Sequence, residues 1–165
     1  VQYAHMNTFF IFLHVAAAII LLGPVVVATS MFPAEAAKAK AGGEESTGRA
    51  SVLHKITKTY GLLSVLVPLL GGVIMAMDWE THKTNYWLHT AIVLAVIAWG
   101  ILYFMVIPQQ RKIMGSLGAL DPADADPADV TSNFEKAKAQ ASAGAGIFNL
   151  LWFIVLILMF IPAPA

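Results

Sequence analysis

Four apolar runs, none containing Asp, Glu, Lys or Arg, divide this chain: 8–32, about 59–77, 86–107, and 147–161 lengthened by the Ala/Gly segment 141–146. A helix needs about 20 apolar residues, at about 1.5 Å each, to cross the hydrocarbon core of a bilayer. Backbone groups left unpaired in lipid are too costly, so uncharged runs of this length span as helices. The spans are therefore set at about 8–32, 59–77, 86–107 and 141–162. They leave polar loops at 33–58 and 109–140 and a short loop at 78–85.

Composition agrees. The chain is 58% hydrophobic and 12% charged, whereas soluble domains carry about 25% charged residues. A soluble domain is excluded, and so is disorder, which needs low hydrophobicity and high charge. Ten basic residues balance ten acidic ones, so no net field attracts nucleic acid. The absence of cysteine removes disulfides, Fe–S clusters, thiolate zinc sites and thioether-attached haem.

Basic residues set the expected orientation. Lys38, Lys40, Arg49, Lys55 and Lys58 lie in the first long polar segment, and Arg111, Lys112, Lys136 and Lys138 in the second. Loop 78–85 holds only Lys83. The positive-inside rule places both long loops in the cytoplasm and both termini and loop 78–85 outside, across the cell membrane. The N-terminal run lacks a basic leader segment and a small-residue cleavage site, so it reads as the first span rather than a signal peptide.

A weak internal repeat runs through the spans. Leu13, His14, Ala16 and Pro33 recur as Leu88, His89, Ala91 and Pro108, all at an offset of 75. The fold class is thus all-α, a four-helix transmembrane bundle readable as two helical hairpins related by an axis along the membrane normal. Pro33 and Pro108 are expected to close their spans. Gly23-Pro24 and Pro68 are expected to kink theirs.

Segment 34–50 reads as a mobile loop, and Ser51 as the cap of a helix leading into the second span. Segment 121–129 repeats Asp-Pro turn signals. Ser132 and Glu135 fit a capping box, so the fourth helix is expected to begin near Asn133. Its segment 137–146 offers a small-residue face for close helix packing.

The spans carry no central charge of the kind that pumps, proton relays and ion-coupled transporters place at membrane depth. Histidine is the remaining signal. His5, His14, His82 and His89 lie toward the terminal side and His54 toward the long loops. His14 lies about 9 Å inside the first span at the helical rise, and the repeat puts His89 at the equivalent place in the third. Two facing imidazoles would suit a b-type haem, whose iron takes two axial nitrogens. The plainer reading, which is favoured, is that each histidine donates to a nearby carbonyl and does nothing else. Met6, Met75, Met77 and Met159 lie on the same side, and thioether with imidazole suits Cu(I), although methionine is ordinary packing material in such helices. Asp78, Glu80 and His82 read as a solvated hairpin before a cation site. Trp79, Tyr86 and Trp87 fit an interfacial aromatic belt.

Phe12-Leu13-His14-Val15, with the Ala-rich stretch and Gly23 that follow, resembles the opening helix of copper-resistance-D-type proteins and of HemJ-type protoporphyrinogen oxidases. Trp87-Leu88-His89 resembles the equivalent helix of the HemJ type. The overall layout, with Ala- and Asp-Pro-rich loops, resembles small actinobacterial membrane proteins that serve as accessory subunits of the cytochrome bcc–aa3 respiratory supercomplex. That resemblance implies a non-catalytic subunit with no cofactor of its own, in contact with membrane lipid and with integral subunits of the cytochrome bc or oxidase type. The alternative is a membrane redox protein holding b-type haem or copper through His14 and His89. No catalytic residue is assigned.

Overall fold

The computed structural model of the chain describes residues 2–123 and 125–162, with side chains from residue 6 onward. The His5 side chain, Asp124 and residues 163–165 lie outside the described residues. The elements run α1 (Gln2–Ala17), a π-helical turn π1 (Ala18–Leu22), α2 (Gly23–Lys40), α3 (Glu44–Leu63), α4 (Leu66–Met77), α5 (Trp79–His82), α6 (Tyr86–Ile101), π2 (Leu102–Val106), α7 (Ile107–Ser116) and α8 (Phe134–Phe160). No strand occurs among the described residues.

These elements join into four rods, Met6–Lys40, Glu44–Met77, Tyr86–Ser116 and Phe134–Phe160, each long and apolar enough to cross a membrane. The crossing part of each rod is its apolar run; for the first it ends at Phe32, and Pro33–Lys40 stand beyond it. The rods alternate in direction. Both termini and the short α5 connection sit at one end, and both long polar segments at the other. Consecutive rods pack together and the fourth closes on the first through α2 and α8. The first and third are diagonal.

Proline explains where the rods depart from α-helix. Its ring opposes the carbonyl four residues earlier and it has no N–H to donate. Pro24 thus distorts the chain at Ile20, inside π1, and Pro108 at Phe104, inside π2. Pro68 acts at Ser64, where α3 stops before α4 resumes at Leu66. Where kinks were expected at Pro24 and Pro68, the helix carries a π turn and a break respectively.

The two prolines expected to close their spans do not end their helices. Pro33 lies inside α2 and Pro108 in the first turn of α7. Proline in a long membrane helix is absorbed by local adjustment and hydroxyl groups. The Thr29 hydroxyl, four residues before Pro33, donates to the Val25 carbonyl at 2.8 Å, and Ser30 donates to Val26 at 2.7 Å. Nor is segment 34–50 a loop. Its Ala, Glu and Lys residues are the strongest helix formers, and α2 and α3 run through it as a hairpin. The turn between them needs Gly42, whose φ of 95° lies in the left-handed region. Ser51 consequently lies inside α3 rather than at its start.

The fourth helix begins where expected. The cap is Asn133, whose side chain accepts from the Lys136 N–H at 2.9 Å, in place of the Ser132–Glu135 box. The small-residue face of α8 is used as expected: Ala137, Ala141, Gly144 and Ala145 are buried, followed by Phe148. A Cβ on Gly144 would lie 2.9 Å from Val106 Cγ2, so the rods touch there at backbone range.

The core is uneven along the membrane normal. At the polar-loop end Phe32, Ala36, Ala50, Ile113, Met114, Ala137 and Ala141 from all four rods meet. Mid-membrane, Leu22, Val25, Val67, Ala98, Leu102, Val106 and Phe148 do the same. Toward the terminal end, among the described residues, the buried cluster of Ala91, Ala95, Val155 and Leu158 joins α6 to α8.

Candidate functional site

The uneven core leaves a cavity in the terminal half of the membrane. There α1 packs on α4 and α6 on α8, and a space of about 390 Å³ remains between the two pairs. Ala18, Gly23 and Gly71 line one side; Ala91, Ala95 and Trp152 line the other. Small residues on three helices create the space. It falls within the range of about 300–1,000 Å³ typical of small-molecule sites.

His14 is the only ionisable side chain in the lining. Its Nδ1 lies 2.9 Å from the Val67 carbonyl of the neighbouring rod. A carbonyl only accepts, so Nδ1 carries the ring hydrogen and donates. The nitrogen left over is Nε2, with a free lone pair. Gly71 makes the approach possible, because a Cβ there would stand 3.2 Å from His14 Cε1.

His89 is placed differently. Its Nδ1 donates to the Asn85 carbonyl of its own helix at 2.8 Å, and its ring meets the Trp79 ring edge-on at 6.1 Å. It is not among the residues lining the cavity. The two histidines thus share a hydrogen-bonding habit, Nδ1 on a carbonyl, without sharing the cavity. The offset of 75 also fails to carry over to the backbone: π1 at 18–22 corresponds to 93–97, whereas π2 lies at 102–106.

Of the outer methionines, Met159 lines the cavity with His14. Glu80, from the possible cation hairpin, is paired with Lys83. Among the described residues no group of three or more His, Asp or Glu is gathered as a metal site.

Sequence reasoning missed a second polar pair. His54 Nδ1 lies 3.2 Å from Gln110 Oε1, with both residues buried beneath Phe32. Gln110 Nε2 is buried without a partner. Gln110 drew no attention because it follows Pro108, which read as the end of the span.

At the polar-loop end, charges tie the rods together. Glu35, with its side chain 9% exposed, takes Lys38 Nζ at 2.9 Å and Arg49 Nε at 2.8 Å, linking α2 to α3. Lys38 and then Arg49 hold its carboxyl down at about 2. Lys40 reaches Glu135 on α8 at 3.4 Å, and Arg111 pairs with Asp129.

Comparison of the chain with protein families, curated proteins and solved structures gives no match. The fold by itself defines a multi-pass membrane protein with a four-helix bundle.

Proposed function

We propose that this chain is a non-catalytic accessory subunit that packs against and stabilises other integral membrane subunits, those of a cytochrome bc or oxidase complex in the respiratory chain. The observation that carries the reading is the use of charge. The ion pairs at the polar-loop end join rod to rod or rod to loop: Glu35 to Arg49, Lys40 to Glu135, Lys55 to Asp121, Arg111 to Asp129. The apolar runs themselves hold no charge to move a proton or an ion. Such a frame suits holding and positioning rather than turnover. The long apolar faces of the first and fourth rods, including Phe12, Ile19, Phe153 and Phe160, are exposed and available to lipid or a neighbouring subunit.

The test is a tagged copy purified from native membranes in mild detergent. Stoichiometric cytochrome or oxidase subunits are expected with it. A chain that elutes alone, from membranes shown to contain the intact complexes, overturns the reading.

The alternative, b-type haem or copper held by His14 and His89, has less support. A bis-histidine site needs both Nε2 atoms in one cavity, and only His14 lines this one. Replacing both histidines by alanine should leave the haem and copper content of the purified chain unchanged.

A further inference from the structure

We propose that the cavity between the α1–α4 and α6–α8 pairs binds a hydroquinone: an aromatic ring with a hydroxyl head on His14 and an apolar body directed toward Gly23. His14 supplies the polar end of the cavity. His14 gives its Nδ1 hydrogen to Val67, which leaves the Nε2 lone pair in a lining that is otherwise made of apolar side chains. His14 is half-buried, and at membrane depth an acceptor that faces hydrocarbon in place of water costs free energy unless a donor reaches it.

Water is a poor donor here. A buried water needs two to four polar partners, and this lining offers one polar side chain besides the indole of Trp152, whose Nε1 is itself inaccessible. Phospholipid is a poor donor too. Its acyl chains have none to give, and its headgroup stays at the interface, about 9 Å above His14 at the helical rise. What remains is a molecule dissolved in the hydrocarbon that carries its own hydroxyl.

Shape narrows the class. From His14 to Gly23 the lining runs nine residues along the first rod, about 13 Å at 1.5 Å per residue. The polar end faces the nearer interface and the apolar end points to the bilayer centre, which is the orientation of an amphipathic molecule in that leaflet. Across the slot, Ala18 and Gly71 face Ala91 and Ala95, with Trp152 beside them. A wall of small residues with one indole fits a flat ring better than a methylene chain.

The tautomer makes the proposal selective. Nε2 only accepts, so the reduced form, which has O–H groups, gains a hydrogen bond. The oxidised quinone, which has only carbonyls, does not. No electron transfer is involved. The inference is independent of which subunits surround the chain.

The experiment uses the full chain in lipid nanodiscs under anaerobic conditions. A short-chain hydroquinone with one isoprenoid unit is titrated, then the same compound oxidised, with tryptophan fluorescence as readout. Saturable binding of the reduced form is expected, about tenfold tighter than the oxidised form. His14→Ala should remove that preference. Gly23→Leu should weaken both forms about tenfold while leaving His14 untouched. A Cβ at Gly23 meets nothing within 4 Å, so the substitution starts without a backbone clash and tests the cavity separately from His14→Ala. Equal binding of the two forms by the native chain overturns the proposal, as does binding that Gly23→Leu leaves unchanged.

Discussion

The indole Nε1 of Trp99 donates to the backbone carbonyl of Gly61 at 3.1 Å, across the contact between the third and second rods. That carbonyl is available because the helix is broken just beyond it. The Val65 N–H, which in a continuous α-helix would bond Gly61, instead bonds Leu62 at 3.3 Å. The Ser64 hydroxyl also donates to Gly61, at 2.7 Å. Glycine lets the rods approach here, since a Cβ would stand 2.9 Å from Leu102 Cδ2 and push that side chain aside. One defect in the second rod thereby becomes a polar tie to the third.

Trp99→Phe keeps an aromatic ring beside Tyr103, which in the native chain stacks on the indole at 4.7 Å and 16°, and removes the N–H together with part of the ring area. Hydrogen bonds between membrane helices contribute about 0.6 kcal/mol on average and up to about 1.7. Unfolding of this variant in mixed micelles should show a loss of about 1 kcal/mol. No loss would mean that Ser64 alone satisfies the carbonyl.

The span count, the helix irregularities at Pro24 and Pro68 and the start of α8 were legible in the sequence because each follows from a local rule. The tie at Gly61 was not. It depends on which indole a distant rod presents to a carbonyl, and nothing near Gly61 encodes Trp99. The hairpin of α2 and α3 was obscured by its polarity, although Ala, Glu and Lys favour helix as strongly as any residues do. For the cavity, His14 was readable and its partner was not. Val67 is one apolar residue among many, marked only by the nearby Gly71 that lets the imidazole approach. His89 shows the converse: a matching sequence position does not bring two rings to one place when the π turns fall at different points of the two rods.

Gly115→Ala tests the seating of the second long loop. A Cβ there would lie 1.6 Å from the Asp129 carbonyl oxygen, a backbone atom that cannot turn aside. The loop must lift, which strains the Arg111–Asp129 pair and the Thr131 N–H bond to Ser116 Oγ at 2.9 Å. Alanine gains about 1 kcal/mol of helix propensity, and overpacking costs about 1–3 kcal/mol. Net destabilisation and faster proteolysis within 121–131 are expected. A more stable, equally resistant variant would show that the loop does not rest on α7.

Acid should loosen the α2–α3 hairpin. Glu35 titrates at about 2 instead of its ordinary 4.5, first because of Lys38 and next because of Arg49. Glu135 is lowered too, by Lys138 and then Lys40. A carboxyl lowered by folding stabilises the fold fully above about 4.5 and stops doing so as the pH falls toward 2. Thermal unfolding in detergent should therefore drop across that window. Glu35→Gln should be less stable than the native chain at pH 7 and should lose less on acidification. An equal acid response in both proteins would place the sensitivity elsewhere.

The last prediction concerns Pro68, some distance along the rod from the bond it creates. Proline has no N–H to give the Ser64 carbonyl, which takes the Val67 N–H at 3.0 Å in a tighter turn, and α3 stops before α4 resumes. In Pro68→Ala a backbone N–H returns, the helix can close through Ser64, and the Val65 N–H can go back to Gly61. The indole of Trp99 then competes for an acceptor already taken. Trp99→Phe should consequently cost less in the Pro68→Ala background than in the native chain, and the double-mutant cycle should show a coupling of about 0.5–1 kcal/mol. The two residues contact different parts of the rod, so direct contact does not supply that coupling; it passes through the Gly61 carbonyl. Strict additivity would mean that packing of Gly61 against Leu102, and not Pro68, keeps the helix open.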